Sequence, residues 1–202
     1  MNPTKLMSAA LFVAACVTTT AIAQDDFGIE SASPVVISDL VDPQPGMVFN
    51  AYNQEKWLKW NELPGSISKL LSQAAARTMV DKSEHFSLEP VGKLKCGVGR
   101  WEGYIKCKYA TTYTFTLTKD GGGNYGDAFV FAVNGVVLID KGVRQASCDA
   151  NLKVGWNKIE LVSQFYRSNP LFISFKPKGY LGDPRQIGPK DLFHDQQPTI
   201  IF

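Results

Sequence analysis

Arg100-Trp101-Glu102-Gly103-Tyr104-Ile105, then Tyr113-Thr114-Phe115-Thr116-Leu117, a glycine-rich stretch, the apolar run 129–133 and Asn134-Gly135 ahead of 136–139 together decide the fold. Tyr113, Phe115 and Leu117 alternate with Thr112, Thr114, Thr116 and Thr118. A strand with this pattern turns large apolar groups to one face and β-branched hydroxyls to the other, as burial on one side requires. Residues 129–133 are apolar without a break and call for cover on both faces. Asn134-Gly135 accepts the positive φ angles of a type I′ turn, which makes 136–139 the returning strand of a hairpin. Two more strands are read at 157–165 and 171–175, with Ile159, Leu161, Phe165, Leu171, Ile173 and Phe175 as core candidates. This rhythm predicts a mainly all-β protein, an antiparallel β-sandwich.

Upstream of this block the pattern changes. Residues 24–45 carry prolines, Ser and Asp without sustained periodicity and read as an extended arm, in which Pro34-Val35-Val36-Ile37 is short enough for one edge strand. Ser66 is a fitting N-cap for a short helix over 66–79, whose Ile67, Leu70, Leu71, Ala74 and Ala75 fall on one face at three-four spacing. That helix is expected to pack on the sandwich, and the sheet proper to begin near Phe86.

At the N-terminus Lys5 precedes an apolar stretch, and Ala21-Ile22-Ala23 before Gln24-Asp25-Asp26 is the small-x-small site of a signal peptide, residues 1–23. A membrane anchor is not expected, because about 20 apolar residues are needed to span a bilayer and Thr18-Thr19-Thr20 interrupts this run. Val13-Ala14-Ala15-Cys16 leaves a second route open, lipidation of Cys16. Export to the periplasm, cell surface or medium is expected on either route. Loss of Lys5 leaves 20 basic and 19 acidic residues, so no net field draws in phosphate backbones or anionic membranes, and nucleic acid is not an expected partner. Of the 4 cysteines, Cys96, Cys107 and Cys148 remain in the mature chain, and an oxidising compartment allows one disulfide. A continuous strand at about 3.3 Å per residue would hold Cys96 and Cys107 beyond the disulfide reach of about 4.4–6.8 Å between α-carbons. Cys148 is therefore the expected shared partner, with Cys107 the favoured mate.

Three motifs of catalytic type do not assemble. Gly121-Gly122-Gly123-Asn124-Tyr125-Gly126 matches G-x-G-x-x-G, but a dinucleotide site needs a helix after it and a strand follows here. Cys96-Gly97-Val98-Gly99-Arg100-Trp101 has glycine where a thiol-protease nucleophile would stand. His85 and His194 show no metal-ligand spacing and read as a loop residue and a structural or surface residue near the domain's end. No metal and no catalytic residues are expected, and the function is argued from binding.

The order of these pieces, with Leu152-x-x-Gly155-x-Asn157-x-Ile159-x-Leu161 and the closing Leu192-Phe193-His194, resembles the protective-antigen-type (PA-fourteen) domain family of exported, lectin-like β-sandwiches. The resemblance covers residues 46–194, leaving 195–202 as a tail, and Met47 to Tyr52 is similar to the family's first strand. It implies carbohydrate recognition or adhesion at the cell envelope. Sugar-binding relatives hold calcium with two adjacent aspartates after the alternating strand, because a hard cation needs several oxygen ligands. In their place stands Lys119-Asp120 or Gly126-Asp127, depending on how the glycines align, each with one carboxylate. Calcium is accordingly not expected as a cofactor, and glycan contact is assigned to Asp120, Asn124, Tyr125 and Asp127 by hydrogen bonding and stacking. Trp101 reads as core, whereas Trp57 and Trp60, three apart in a polar segment, are candidates for an interaction patch. The partner is thus a glycan, or alternatively another envelope or surface protein on which a structural interaction module docks.

Intact-mass measurement of the protein from its source tests the leader: the expected mature chain starts at Gln24, and a start at an acylated Cys16 would make it a lipoprotein.

Overall fold

The computed structural model describes residue 40 and residues 42–53, 72–92, 96–119, 129–141, 144–166 and 169–195. Twelve strands are formed among them: β1 (Pro43–Pro45), β2 (Met47–Asn53), β3 (Arg77–Asp81), β4 (Cys96–Cys107), β5 (Thr111–Lys119), β6 (Phe129–Val133), β7 (Val136–Lys141), β8 (Gln145–Leu152), β9 (Gly155–Tyr166), β10 (Leu171–Pro177), β11 (Arg185–Ile187) and β12 (Phe193–Asp195). They build two antiparallel sheets. The larger runs β3-β2-β4-β9-β6-β7, with β12 and then β1 continuing on the β2 side of β4; the smaller runs β11-β10-β5-β8. The two face each other as a sandwich, in agreement with the sequence reading.

The alternation in β5 does what its chemistry dictates. Phe115 and Leu117 are buried, and Thr112, Thr114 and Thr116 pair through their hydroxyls with Asn151, Asp149 and Ser147 of β8 at 2.7, 2.7 and 2.8 Å on the opposite face. All five residues of β6 are buried. Asn134 and Gly135 take φ values of +51° and +80° in the hairpin turn. The Asn134 side chain also fixes the neighbouring strand: its Oδ1 accepts from Lys158 N at 2.9 Å, and its Nδ2 donates to the buried Asn157 at 2.9 Å. Asn157 in turn bonds Lys153 N and the Lys153 and Gly155 carbonyls. This explains the asparagine of the Gly155-x-Asn157-x-Ile159 pattern.

Trp101 lies at the centre of the core, fully buried. Its ring stacks on Phe49 of β2 at 4.4 Å and 11°, and meets Phe86 and Phe165 edge-on at 5.6 and 5.5 Å. The glycines on either side of it in β4 are required by close approach. A Cβ on Gly99 would lie 2.3 Å from the Trp101 ring, and one on Gly103 would lie 2.8 Å from Met47 and 2.9 Å from the Phe193 carbonyl. On the outer face of β4 and β9, Arg100 and Lys158 each pair with both Glu102 and Glu160, at 3.1–3.5 Å.

Several expectations change. The helix expected to reach Met79 does not: 72–76 are turn and irregular, and β3 pairs with β2. The ladder captures this segment because Ala76 N bonds the Ala51 carbonyl at 2.8 Å and Thr78 Oγ1 donates to Asn50 at 2.7 Å, while β-branched Thr78 and Val80 favour the extended backbone. The start of that helix, 66–71, and the edge strand at 34–37 lie outside the described residues. The sheet does not begin at Phe86, which forms a single bridge to Leu171. β1, read from sequence as part of the arm, pairs with β12; its prolines are tolerated because an edge strand has no second ladder to serve. Among the described residues no helix is long and apolar enough to cross a membrane.

Gly99→Ala is expected to cost about 2–3 kcal/mol in urea denaturation, since the added methyl overlaps the Trp101 ring. Val136→Ala, at an exposed site, is expected to stay within about 0.5 kcal/mol. Wild-type stability for Gly99→Ala would contradict this ring placement.

Candidate functional site

The sequence-assigned ligand residues Asp120, Asn124, Tyr125 and Asp127 lie outside the described residues, as do Trp57 and Trp60. Their flanking strand ends are described, and register brings them to one end of the sandwich. There Asn53 pairs with Gly97, Cys96 with Tyr166, Lys119 with Leu171, and Phe129 with both Ser163 and Lys141. The segments carrying the two sets of candidates thus leave the sheets at the same end. Lys119, last residue of β5, follows the inward parity of Phe115 and Leu117 and is 5% exposed. Its ammonium donates to the Gln164 carbonyl and lies 4.5 Å from the centre of the Phe165 ring.

The expected pairing of Cys107 with Cys148 is not formed: both are free thiols. Cys107 ends β4 in the larger sheet, and Cys148 sits in β8 of the smaller, opposite Phe115. A bond between them would have to cross from one sheet to the other. Burial raises both thiols, Cys148 to about 11 with help from the neighbouring Asp149 carboxylate.

An open groove of about 230 Å³ lies on the side of the sandwich, lined by Glu84, His85, Phe172, Gln186, Ile187, Gly188, Lys190 and Asp191. It forms where the chain changes sheets twice. Residues 82–88 lead from β3 to the edge of β10, and 188–192 lead from β11 back to β12. The two crossovers interlock. Lys190 N donates to the Ser83 carbonyl at 3.1 Å, Lys190 Nζ bonds Glu84 at 2.7 Å, and a Cβ on Gly188 would fall 2.1 Å from the Glu84 carbonyl oxygen, so only glycine fits. Asp191 accepts from Gly188 N at 3.0 Å and pairs with Arg185 at 3.5 Å. The hydrogen bond from Lys190, with its charge, holds the Glu84 carboxyl below its usual range, and the same bond raises the Lys190 ammonium.

Beneath the groove a chain of bonds runs into the core. Asp81, 2% exposed, accepts Trp101 Nε1 at 2.8 Å on one carboxylate oxygen, and on the other Ser83 N at 2.9 Å and Ser83 Oγ at 2.6 Å. Ser83 Oγ also lies 2.8 Å from the His85 carbonyl. The sequence reading gave His85 to an ordinary loop and passed over the other lining residues. They come from 84–85, 172 and 186–191, the first far from the other two along the chain, and share no local motif. Of the two readings of His194 the structural one holds: it is buried, 3.4 Å from the Gly46 carbonyl. Among the described residues no group of three or more His, Cys, Asp or Glu side chains is arranged to hold a metal.

The sequence matches no family model and no curated protein. Its fold is PA14-like. The chain is similar to the PA14 domain of the antifreeze protein MpAFP, with TM-score 0.57 and 16% identity over 80% of this chain and 97% of that one. It is similar also to the A domain of epithelial adhesin 6 from Candida glabrata, solved with Galβ1-3GlcNAc, with TM-score 0.52 and 15% identity over 83% and 92% of the two chains. A third likeness is to an anti-sigma factor domain-containing protein from Clostridium clariflavum, with TM-score 0.51 and 17% identity over 78% of this chain and 49% of that one. The chain spans about half the length of the two anti-sigma factor domain-containing proteins it matches, 51% and 49%.

Free thiols are tested by non-reducing peptide mapping with and without denaturant. Cys107 and Cys148 are expected to be alkylated in denaturant. In the native protein Cys148 is expected to react slowly at pH 8, where a thiol with pKa of about 11 is roughly one-thousandth thiolate. A recovered Cys107–Cys148 cross-link would contradict the arrangement.

Proposed function

We propose that the protein is an exported, non-catalytic module that binds carbohydrate in recognition or adhesion at the cell envelope. The observation that carries this reading is the PA14-like sandwich, shared with Candida glabrata adhesin domains whose structures hold Galβ1-3GlcNAc and Galβ1-4GlcNAc, joined to the gathering of its connecting segments at one end. The binding domain runs from β1 (Pro43–Pro45) to β12 (Phe193–Asp195), with an arm before it and a tail after it. The ligand contacts are Asp120, Asn124, Tyr125 and Asp127, acting by hydrogen bonding and by stacking of the tyrosine ring on a sugar face. Binding proceeds without calcium. The single carboxylate that either alignment leaves, Asp120 or Asp127, supports that, since sugar-binding relatives hold the ion with two. The leader directs export, by cleavage before Gln24 or by lipidation of Cys16.

A second reading has its own support. The likeness to anti-sigma factor domain-containing proteins, of which this chain spans about half, fits a module that docks on another protein, with Trp57 and Trp60 as the contact.

A glycan array probed with and without a calcium chelator separates the two. The expected result is binding that survives chelation and falls at least about tenfold on Asp127→Ala or Tyr125→Ala. Binding abolished by the chelator would restore a calcium-dependent mechanism, and no glycan bound under either condition would overturn the carbohydrate reading in favour of docking.

A further inference from the structure

We infer that the side groove between the two crossovers is a second saccharide site, taking one neutral pyranose unit with its ring on Phe172 and its hydroxyls bonded by Glu84, Gln186 and Lys190. The inference rests on the carbohydrate reading for its ligand class, and on different residues for its location. At about 230 Å³ the groove is smaller than the range of about 300–1,000 Å³ used by drug-sized ligands, and suits a single ring.

The lining selects the chemistry. Phe172 alternates with the buried Leu171 and Ile173 on β10, so its ring is turned to the outer face and left half-buried, a flat apolar surface with the His85 ring 5.9 Å away. A pyranose has one face of C–H groups that lies against such a ring, and a rim of hydroxyls that each donate and accept. Glu84 and Lys190, joined at 2.7 Å, offer an acceptor and a donor side by side. Gln186 is exposed, and among the described residues no hydrogen bond engages its side-chain amide. Charge argues against ionic ligands. The Glu84 carboxylate is answered by Lys190 and the Asp191 carboxylate by Arg185, so the groove has neither surplus positive charge for a phosphate or sulfate nor an unanswered carboxylate pair for a cation.

The site is also held in shape before any ligand arrives. Gly188 lies against the Glu84 carbonyl, Lys190 N bonds the Ser83 carbonyl, and Ser83 is tied to the buried Asp81. Rigidity of this kind lowers the ordering cost that a weak sugar contact must overcome.

The test is a ¹⁵N-NMR titration of the full chain with the methyl glycosides of glucose, galactose, mannose and N-acetylglucosamine at millimolar concentrations. At least one is expected to shift the amides of Glu84, His85, Phe172 and Lys190 saturably. Phe172→Ala and Gln186→Ala are each expected to weaken that response about tenfold, while Asp127→Ala leaves it intact. The Trp101 indole resonance reports that the variants remain folded, and Gln186→Ala, at an exposed position, serves if Phe172→Ala does not fold. Shifts confined to residues near Lys119 and Phe129 would overturn the groove site and leave the carbohydrate reading standing. Groove shifts unchanged in both folded variants would overturn the proposed contacts, and no shift with any glycoside would overturn the groove and count against the carbohydrate reading itself.

Discussion

The hydrogen bond from Trp101 Nε1 to the Asp81 carboxylate, 2.8 Å long and inside the core, is the constraint around which the sandwich is arranged. A carboxylate removed from water is costly unless its oxygens are satisfied. Asp81 meets that demand with three donors, the indole N–H and the amide and hydroxyl of Ser83. The indole is thereby oriented, and its faces and edges are committed to Phe49, Phe86 and Phe165. One side chain of β4 thus joins β2, β9, the end of β3 and the first crossover. Gly99 is the space this arrangement needs.

The same bond links the core to the surface proposed to bind. Asp81 is the last residue of β3, so its anchoring fixes where the chain leaves the larger sheet, and Ser83 passes that position to the His85 carbonyl and to Lys190. The groove is therefore tied to the buried core. At the loop end the buried Lys119 ammonium donates to the Gln164 carbonyl and lies over the Phe165 ring. Two buried polar side chains, one acidic and one basic, mark the two regions to which function is assigned.

Features written in local periodicity were legible in the sequence. The Thr112 to Thr118 alternation, the unbroken apolar run of β6, the Asn134-Gly135 turn and the burial of Trp101 each depend on residues close together in the chain, and each is found as read. The start of β3, 77–79, was read as the end of a helix because the three-four spacing and alanines before it favour one, while the partner that makes it a strand, β2, lies beyond the reach of local pattern. β8, β11 and β12 escaped for the same reason, since they are short or mixed in composition and gain their strand character from β5, β10 and β1. Cys148 was placed in a disulfide by its count and spacing alone, but its strand lies in the sheet facing Cys107. The groove was illegible because Glu84, Phe172 and Lys190 meet only through two sheet changes.

A double-mutant cycle on Trp101→Phe and Asp81→Ala, read by urea denaturation, measures the central bond directly. Phenylalanine keeps most of the ring packing and removes the N–H. The account predicts a coupling energy of about 1.5–3 kcal/mol, the size of a hydrogen bond to a charged group. Additive effects of the two substitutions would contradict it, since the core tryptophan and the crossover would then be held independently.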